Sequence, residues 1–561
     1  MRRIILVVAP LVAWMLWAAL TLPPAARVLD APAPGGVPTA RGAYHMHSRA
    51  SDGTGTVDEI ARAAAAAGLQ FVIITDHGNA TATTAAPRYV AGVLCIEAVE
   101  ISTTDGHYTV LGLAPPPYPL AGEGRDVAQD VARLGGFGIA AHPDSAKDTL
   151  QWRAWDVPMD GIEWFNADSQ WRDEPRWRLL VTILQYPVRP AETVVSLFDR
   201  PVAALARWDR LTASRRVVGL AAADAHARLG FRGKADPYDE SLYVSLPSYE
   251  SVFRAFSMRV ELGAPLSGWA TRDAPLILDA IRNGRLYTSF DGVAGPAVAD
   301  FMASSGDERV RQGGWLSGED VRFRATANVP PGGSLVLLRN GEDVAQSDGQ
   351  ALTHLSNRPG AYRLEVRIPG APGAPPLPWV VSNPIYVGAA YAAPAPRPDG
   401  QPASQDPDWL ADLWHIEKDP ASTGTFRSSE AADSVGREFS FQLSPSGASP
   451  FVALVTDDVR SVREAARLSF RARSSRPMRI SVQARCDGGA GEARRWLRSV
   501  YLDATPREIT VELSDMRVAG TGARTPVATG AITSILFVYD TTNARPGDGG
   551  RVWIERLRTG R

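Results

Sequence analysis

Cysteine is almost absent from this 561-residue chain, which has only Cys95 and Cys486. Because we place the two in separate domains, they argue against a structural disulfide, and an oxidising compartment is permitted without being demonstrated. Neither cysteine lies in a nucleophile motif. We therefore expect both side chains to be buried and apolar in role rather than catalytic.

Lysine is equally scarce, and there is little net charge. The only lysines are Lys147, Lys234 and Lys418, and the formal net charge is −2. A charge so close to zero gives no electrostatic case for nucleic acid as a partner. The chain also lacks a Walker loop, a Gly-x-Gly-x-x-Gly motif in a βαβ context, a Gly-x-Ser-x-Gly elbow and internal repeats. These absences leave no recognisable nucleotide-binding loop and no serine nucleophile.

One long hydrophobic run is present, at the N-terminus. Met1-Arg2-Arg3 precedes an apolar stretch from Ile4 to Leu22, which is near the length that spans a bilayer. No small-x-small cleavage site follows, and Trp14 and Trp17 suit a membrane interface. We therefore favour an uncleaved membrane anchor over a signal peptide for residues 1–29. In either case the remainder is predicted to be exported, to the periplasm or another extracytoplasmic location.

Histidine, by contrast, is concentrated in one part of the chain. Six of the eight histidines fall between residues 45 and 226, each beside an acid or another histidine. Imidazole nitrogens and carboxylate oxygens are together the ligands that bind Zn, Mn and Fe. The candidate ligands are His45, His47, Asp52, His77, Glu100, His107, His142, Asp224 and His226. Nine such groups are more than one ion can hold, so the sequence predicts a multinuclear metal centre and a hydrolase.

Local patterns place these groups at the ends of strands. Alternate residues of a β-strand share a face, so His45 and His47 are predicted to converge on one ion, and Asp224 and His226 to repeat that geometry. The apolar run at residues 71–75 predicts a buried parallel strand, with the next two residues at its C-terminal end. Barrel enzymes keep their catalytic groups at such strand ends.

Helices are predicted between these strands. The segment from Val57 to Ala67 is rich in strong helix formers, with Thr56 as its N-cap and Gly68 as its stop. A second helix is predicted from Asp126 to Leu134. The alternation of strand and helix, with ligands at the strand ends, suggests an α/β barrel.

The motifs and their order resemble the polymerase and histidinol phosphatase (PHP) family of metal-dependent phosphoesterases. His45-Met-His47 with Ser51-Asp52-Gly53 is similar to the family's first motif, and "FVIITDHG" to the second. The segment from Val99 to Leu113 looks like the one that carries a bridging glutamate and a further histidine, and "GIAAHPD" and "GLAAADAH" match the third and fourth motifs. The resemblance covers residues 40–295. The Glu-x6-His spacing is most similar to the branch that includes carbaryl hydrolase.

This resemblance implies a distorted barrel of about seven strands for residues 30–300. It also implies two or three divalent ions (Zn, Mn or Fe) that activate a water to cleave a phosphoester. If the similarity to the carbaryl hydrolase branch extends to the reaction, the substrate would be a carboxyl or carbamate ester. The predicted metal ligands are the nine residues given above. The residues predicted to take part in catalysis are Asp76, Glu100 and His226.

Some of these assignments have alternatives. A lone histidine in a core strand is usually structural, but nine acid or imidazole groups at five strand ends are hard to explain that way. Asp52 and His107 could lie behind the ligands rather than among them. Glu100 is preferred over Glu97 because it keeps the family's Val-Glu-Ile-Ser context. Glu97 is expected to be a helper or a salt-bridge partner.

Asp76, Asn166 and the segment between the third and fourth motifs are interpreted separately. Asp76 is expected to diverge from His77 and to orient a ligating imidazole. Asn166 could cap a helix, contact the substrate or simply occupy a turn. The segment between the third and fourth motifs could be a helical lid that grips an organic anion, with Arg172, Arg176 and Arg178 as its cations, or its tryptophans could pack the helical layer on the barrel. These tryptophans are Trp152, Trp155, Trp164, Trp171, Trp177 and Trp208.

After residue 300 the pattern changes to short alternating strands separated by turns. Residues 301–388 are predicted to form an immunoglobulin-like β-sandwich, and residues 389–408 a linker. Residues 409–561 are predicted to form a jelly roll whose architecture resembles carbohydrate-binding modules. Trp409 and Trp414 could stack on a sugar ring, or could pack in the core at the domain entry.

The sequence thus predicts a multidomain protein: a membrane anchor, a flexible tether at residues 30–39, an α/β barrel and two all-β domains. The leading hypothesis is an extracytoplasmic, membrane-tethered metallohydrolase that acts on a small-molecule or phosphoester substrate. The alternative is a surface binding protein that uses its β-domains, with the barrel as a metal-stabilised scaffold. Retention of nine metal-type groups favours the enzyme, because a scaffold has no use for them.

Overall fold

The computed structural model describes most of the chain. The described residues are 12–18, 20–30, 36–82, 84–172, 174–230, 243–391, 406–409, 411–431, 434–447, 449–487, 494–520, 523 and 525–561. Parts of the predicted anchor (1–11 and 19), tether (31–35) and linker (392–405) lie outside them. Within the described ranges, no helix is both long enough and apolar enough to cross a membrane.

The first 300 residues contain both strands and helices. The strands are β1 Arg27–Val28, β2 Thr39–Tyr44, β3 Phe71–Ile74, β4 Arg88–Val90, β5 Val93–Glu97, β6 Val99–Thr103, β7 Gly106–Leu111, β8 Phe137–Ala140, β9 Gly161–Asn166, β10 Val218–Ala222, β11 Leu229–Gly230, β12 Tyr243–Val244, β13 Ser257–Glu261, β14 Leu286–Ser289 and β15 Ala294–Gly295. The helices are α1 Val57–Ala66, α2 Gly124–Arg133, α3 Ala167–Arg172, α4 Arg176–Gln185, α5 Pro190–Val195, α6 Val202–Thr212, α7 Tyr249–Ala255 and α8 Ala270–Arg282.

These strands form two main sheets. In the first, β14, β13, β2, β3, β5 and β4 follow one another, and β2, β3 and β5 run parallel. In the second, the order is β10-β9-β8-β7-β6. Isolated parallel bridges join the two sheets at Met46–Ala225 and at His77–Glu100. Buried side chains of β3 and β10 lie in the same apolar cluster, so the two sheets share a core.

Helix α1 shows how the local sequence sets the elements around the site. Thr56 Oγ1 accepts a hydrogen bond from the backbone N of Glu59 at 3.3 Å, and the Glu59 carboxylate accepts one from the backbone N of Thr56 at 2.8 Å. This capping box begins the helix, and Gly68, at φ +74°, follows its end. The helix predicted at residues 57–67 is confirmed to within one residue, and α2 begins two residues before its predicted start.

A second unit of strands follows. Its strands are β16 Ala299–Ser305, β17 Glu308–Arg311, β18 Trp315–Leu316, β19 Val321–Ala327, β20 Ser334–Arg339, β21 Glu342–Ser347, β22 Ala351–Ser356, β23 Gly360–Arg367, β24 Val380–Ser382 and β25 Ile385–Val387. One sheet, with the strand order β17-β16-β19-β22, contains only strands of this second unit. The other continues into the first unit, because β24 pairs with β14. The boundary predicted at residue 300 therefore falls inside β16, and a sheet crosses it.

The third unit contains two sheets around its own core. Its strands are β26 Trp414–Lys418, β27 Thr423–Ala431, β28 Ser434–Gln442, β29 Phe451–Thr456, β30 Arg467–Ser474, β31 Met478–Cys486, β32 Arg494–Leu502, β33 Arg507–Glu512, β34 Arg517–Val518, β35 Ile532–Asp540 and β36 Gly549–Gly560. Trp409 is buried in the core, and Trp414 packs against it. The interpretation of Trp409 as a sugar-stacking side chain is therefore wrong, because its ring is occupied by packing.

The third unit docks on the first through buried charges. Arg479 of β31 lies 2.7 Å from a carboxylate oxygen of Asp130 and 3.2 Å from one of Asp126, both on α2. Arg517 of β34 lies 2.7 Å from Asp105, in the turn that precedes β7. Both arginines and their partners are almost fully buried. The third unit is thus fixed against the first rather than carried on it loosely.

Candidate metal centre

Three site residues follow their strands in a left-handed backbone conformation. β2 ends one residue before His45, which has φ +64°, and β10 ends two residues before Asp224, which has φ +45°. His142, after β8, has φ +27°. Non-glycine residues with positive φ are uncommon and concentrate at functional sites. Strand alternation is therefore the wrong reason for the placement of these side chains, because the strands have already ended. The predicted convergence of His45 and His47 is nevertheless confirmed, since both have a donor atom within 4.8 Å of Asp224, whereas Asp224 and His226 do not share such a group.

The side chains of all nine predicted ligands come together near these strand ends, although Glu100 and His107 stand within β6 and β7 rather than beyond a strand end. In the described part of the chain, four groups of imidazole and carboxylate side chains have donor atoms within 4.8 Å of one another. The groups are His47, Asp52, His77 and His226; His45, His47 and Asp224; His45, Glu100 and His142; and His77, Glu100 and His107. Because four of these residues belong to two groups each, the groups form one continuous cluster, which we call the metal cluster.

Several buried atoms of the metal cluster make no hydrogen bond to any described residue. These atoms are His45 Nε2, His47 Nε2, His77 Nδ1 and Glu100 Oε2. His45 Nε2 and His47 Nε2 lie 3.3 and 3.2 Å from Glu100 Oε2, without hydrogen-bond geometry. Leaving a buried polar atom unpaired costs about 1–3 kcal/mol. The arrangement fits bound divalent cations, which would satisfy nitrogen and oxygen atoms together.

Three rings of the metal cluster are held by their other nitrogen. His45 Nδ1 lies 2.6 Å from Glu163 Oε1, His142 Nδ1 lies 3.0 Å from the carbonyl oxygen of Leu150, and His226 Nδ1 lies 2.9 Å from the carbonyl oxygen of Asp224. Carbonyl and carboxylate oxygens only accept, so each Nδ1 carries a proton and each Nε2 faces the cluster, where His142 Nε2 lies 2.8 Å from Glu100 Oε1. This is the usual orientation of metal-binding histidines.

Glu163 is the site residue that sequence reasoning missed. It stands in the middle of β9 and its side chain is fully buried. Besides His45, it accepts hydrogen bonds from Tyr44 Oη, the backbone N of His142 and Asn166 Nδ2, at 2.9, 2.8 and 3.0 Å. The available signal was an acid in the middle of an apolar strand, which needs polar partners when it is buried.

Asp76 makes different contacts from those expected. Its carboxylate accepts hydrogen bonds from the backbone N and the hydroxyl of Ser48, at 2.7 and 2.6 Å, and from the hydroxyl of Ser51 at 2.6 Å. Ser51 Oγ in turn lies 3.4 Å from His47 Nδ1. Asp76 is thus in none of the four groups and does not orient a ring directly. It fixes the loop that carries Asp52.

Asn166 and Glu97 occupy distinct positions. Asn166 Oδ1 accepts from the backbone N of Ser169 in the first turn of α3, and its Nδ2 donates to Asp224 at 3.1 Å. It therefore both caps a helix and holds a member of the metal cluster. Glu97 pairs with Arg88 at 2.9 Å and lies outside all four groups. The expectation that Glu97 is a salt-bridge partner is confirmed.

The metal cluster attracts positive charge. Burial would raise the pKa of Glu100, but His45 and His107 hold it well below its usual range. Burial lowers the pKa of the His47 ring, but the nearby carboxylates of Asp224 and Glu100 outweigh burial and raise that pKa to about 10. These opposite shifts arise because carboxylates are buried among the rings, so a proton or a metal cation is bound strongly there.

Two cations interact with the carboxylates of the metal cluster. Lys147 and Arg172 both interact electrostatically with Asp52 and Asp224. Partial burial and repulsion from Arg172 lower the pKa of Lys147. Arg172 is paired with Asp168. An anionic substrate at the cluster would therefore meet positive charge from the protein as well.

The tryptophans between His142 and Asp224 have different environments. Trp152, Trp164 and Trp208 are each 1% exposed and belong to the apolar cores, as the packing interpretation expects. Trp171 lines a cavity beside the metal cluster, and Trp177 is 68% exposed. Both cysteines are buried, as expected.

Comparison with known families gives one partial match. Residues 43–104 match the PHP domain. The matched segment contains five residues of the metal cluster: His45, His47, Asp52, His77 and Glu100. A search of curated proteins returns no match. The PHP match supports a metal-dependent hydrolase at the coarse level.

Two of the solved structures that are similar to this chain cover different shares of it. A two-domain protein from Bacteroides vulgatus, which contains a predicted PHP-like metal-dependent phosphoesterase, is 16% identical; the alignment covers 64% of this chain and 98% of that one, with a TM-score of 0.28. A family 11 carbohydrate-binding module of a Clostridium thermocellum cellulase is 16% identical; the alignment covers 28% of this chain and 96% of that one, with a TM-score of 0.22.

Proposed function

We propose that this protein is a metal-dependent hydrolase of the PHP type that cleaves a phosphoester. The observation that carries the proposal is the metal cluster, in which four buried atoms bond to no described residue. The PHP match over residues 43–104 supports it. If the likeness to the carbaryl hydrolase branch extends to chemistry, the substrate is instead a carboxyl or carbamate ester.

Two or three divalent ions, Zn, Mn or Fe, suit the four overlapping groups. The residues that would hold them are His45, His47, Asp52, His77, Glu100, His107, His142, Asp224 and His226. When bound, the ions would supply Lewis acidity toward the ester oxygen and lower the pKa of a water nucleophile. All other contributions to the proposed reaction come from residues of the chain.

The chain positions the ligands before the substrate arrives. Glu163 and two backbone carbonyls hold three rings with Nε2 toward the cluster. Asp76 holds the loop of Asp52, so we propose a positioning role for it. We propose that Glu100 and His226 contact the reacting groups, since Glu100 joins two of the groups and His226 faces the adjoining cavity. Such preorganisation lowers the barrier because little reorganises during the reaction.

Lys147 and Arg172 favour an anionic substrate. Both interact with the carboxylates of the metal cluster, so a phosphoryl group bound there lies within their field. Charge-assisted hydrogen bonds from such groups to phosphate oxygens are about twice as strong as neutral ones. This favours a phosphoester over an uncharged ester.

We further propose that the two sheets of the first unit form the distorted barrel of about seven strands that the PHP resemblance implies. The bridges at Met46–Ala225 and His77–Glu100 support this, because they join the sheets on both sides of the metal cluster.

We also propose that residues 1–29 anchor the protein and that the rest is extracytoplasmic, on the strength of the apolar run Ile4–Leu22. Fractionation of cells that express the chain tests this location.

Metal content and turnover test the proposed function. Full-length protein purified without chelator or metal column should contain about two or three equivalents of Zn, Mn or Fe by mass spectrometry. His45→Ala and Asp224→Ala should lose metal and phosphoesterase activity while remaining folded. His415→Ala, in the third unit, is the matched control and should keep both. One equivalent or fewer after metal is resupplied would contradict a multinuclear hydrolase.

A further inference from the structure

A cavity of about 160 Å³ adjoins the metal cluster, and its wall includes Asp224 and His226. Helices α3, α4 and α5 contribute much of that wall, with apolar side chains such as Leu179, Val194 and Ile183. An engineered apolar cavity of about 150 Å³ in another protein stays dry and binds benzene. This cavity therefore has room for a short hydrocarbon group next to the reacting centre.

Apart from the members of the metal cluster, the polar side chains that line the cavity are bonded to other residues. Thr182 Oγ1 donates to a backbone carbonyl at 2.8 Å, and Tyr186 Oη donates to Ser251 Oγ at 2.7 Å. Asp168 is paired with Arg172. Because these groups already have partners, a ligand in the cavity gains mainly from burial of apolar surface. The cavity thus suits hydrocarbon rather than a sugar or a second phosphate.

Helix α4 also presents an apolar surface to solvent beside this cavity. The exposed fractions are 68% for Trp177, 59% for Leu180, 43% for Ile183 and 40% for Leu184. We call these four residues the α4 face. Ile183 belongs both to this face and to the wall of the cavity. Contiguous exposed apolar residues of this kind mark an interaction surface.

The described part of the N-terminal apolar segment lies against the same helix. Trp14 Nε1 donates to the backbone oxygen of Leu184 at 3.1 Å. On this segment, Leu16 is 62% exposed and Leu20 is 86% exposed. The α4 face and a segment whose composition suits a lipid environment are therefore neighbours. This adjacency selects a bilayer, rather than another protein, as the occupant of the α4 face.

We infer that the α4 face rests at the boundary between headgroups and acyl chains of a lipid bilayer, and that the cavity receives the hydrocarbon group of a membrane-borne phosphoester. The inference rests on the proposed function for the chemistry at the metal cluster. Helices that carry Trp and Leu on one face with arginine beside them lie at this boundary, and Arg176 is exposed at the start of α4. The substrate would reach the cavity from the membrane side, hydrocarbon group first.

The first test measures which surface meets lipid. Trp177→Cys and Trp269→Cys place a fluorescent label at positions that are 68% and 74% exposed in the native protein. Both native cysteines are buried, so labelling is selective. Trp269 follows the end of β13. The last residue of β13, Glu261, pairs with Thr39 at the start of β2, and the metal cluster lies beyond the opposite end of β2. Position 269 is therefore a control at the opposite end of the sheet.

Labelled full-length protein would be reconstituted in vesicles of phosphatidylcholine and phosphatidylglycerol that contain nitroxide-labelled lipid. We expect quenching at position 177 to be at least about twofold stronger than at position 269, because the label would lie among the acyl chains. Equal quenching at the two positions would overturn the membrane-facing role of α4. That outcome would leave the proposed hydrolase function intact.

The second test measures what the cavity binds. Methyl-, ethyl-, propyl- and butylphosphonate would be titrated by calorimetry into the metal-loaded full-length protein in lipid nanodiscs. Affinity should rise about fourfold for each added methylene. Ile183→Asp should abolish this dependence on chain length. Leu184→Asp, which introduces the same charge at a neighbouring position of similar exposure outside the cavity, should retain it.

The outcomes separate the two proposals. If all four phosphonates bind equally well, the hydrocarbon-binding role of the cavity is overturned while the phosphoesterase proposal stands. If none binds, the proposed phosphoesterase function itself fails. A rise in affinity that Ile183→Asp does not change would place the hydrocarbon elsewhere and would also overturn the inference.

Discussion

Replacement of Glu163 by glutamine should weaken metal binding without changing the volume of the side chain. The carboxylate is fully buried and accepts four hydrogen bonds. Oε1 accepts from His45 Nδ1 and Tyr44 Oη, and Oε2 accepts from the backbone N of His142 and from Asn166 Nδ2. Glutamine can accept on one side only, because its other terminal atom is an NH2 group.

Each orientation of the new amide has a cost. If the NH2 group replaces Oε1, His45 Nδ1 has no acceptor, and its proton moves to Nε2, the atom that faces the metal cluster. If the NH2 group replaces Oε2, the buried backbone N–H of His142 loses its acceptor, which costs about 1–3 kcal/mol. Loss of a group that orients a metal ligand typically lowers metal affinity about 10–100-fold. This corresponds to about 1.4–2.8 kcal/mol.

Competition with a chromophoric chelator measures the metal affinity, and thermal unfolding of the metal-free protein measures the stability. Glu163→Gln should lose about 10–100-fold in affinity, or show a lower midpoint of unfolding if the second orientation is adopted. Glu97→Gln is the matched control, because Glu97 also lies on a strand of the first unit but pairs with Arg88 outside the metal cluster. If Glu163→Gln retained both properties of the native protein, the role of Glu163 in orienting His45 would be refuted.

Three further predictions concern charge. Lys147→Ala should raise KM for a phosphoester about tenfold at unchanged metal content, because a charged hydrogen bond contributes about 1.5–3 kcal/mol. Initial-rate measurements, with Lys418→Ala as the control, would test this change in KM. Burial raises the pKa of Glu123 to about 7. A carboxyl group whose pKa is higher in the folded than in the unfolded protein holds its proton more tightly when folded. The free energy of unfolding should therefore fall by about 3 kcal/mol as pH rises from about 4.5 to 7. Glu123→Gln should flatten this dependence on pH when it is measured by calorimetry. An unchanged dependence would contradict the raised pKa of Glu123. Arg479→Ala removes a buried cation from Asp126 and Asp130 of α2, which keep their contacts with Arg498 and Arg133 respectively, and should lower the free energy of unfolding by about 3–5 kcal/mol in urea titrations. A loss below about 1 kcal/mol would show that the remaining arginines or water compensate for Arg479.

Most members of the metal cluster could be predicted because their motifs are short and follow apolar strands, whereas Glu100 and His107 lie inside β6 and β7. The run Phe71–Ile74 forms β3, and His77 lies just beyond its end. Such local order depends on neighbouring residues only. The left-handed conformation of His45 could not be predicted in this way, since strand alternation assumes that the strand continues.

Long-range pairings were beyond reach of the sequence for a different reason. Neither β14 nor β24 carries a sequence signal that predicts their pairing, because both are short buried strands almost 100 residues apart. The partners of Arg479 lie about 350 residues away along the chain. A pattern of hydrophobic periodicity shows which face of an element is buried, but not which distant element covers it.

The pairing of β14 with β24 bears on how the chain could be divided. Tyr287, Thr288 and Ser289 align with residues 380–382 of the second unit. A chain cut at residue 300 would expose the backbone N–H and C=O groups of β14 along an unprotected edge. Open edges of this kind recruit strands from other molecules and lead to aggregation. The second unit therefore acts as the cover of that edge, and the smallest soluble fragment with the metal cluster should extend to residue 391.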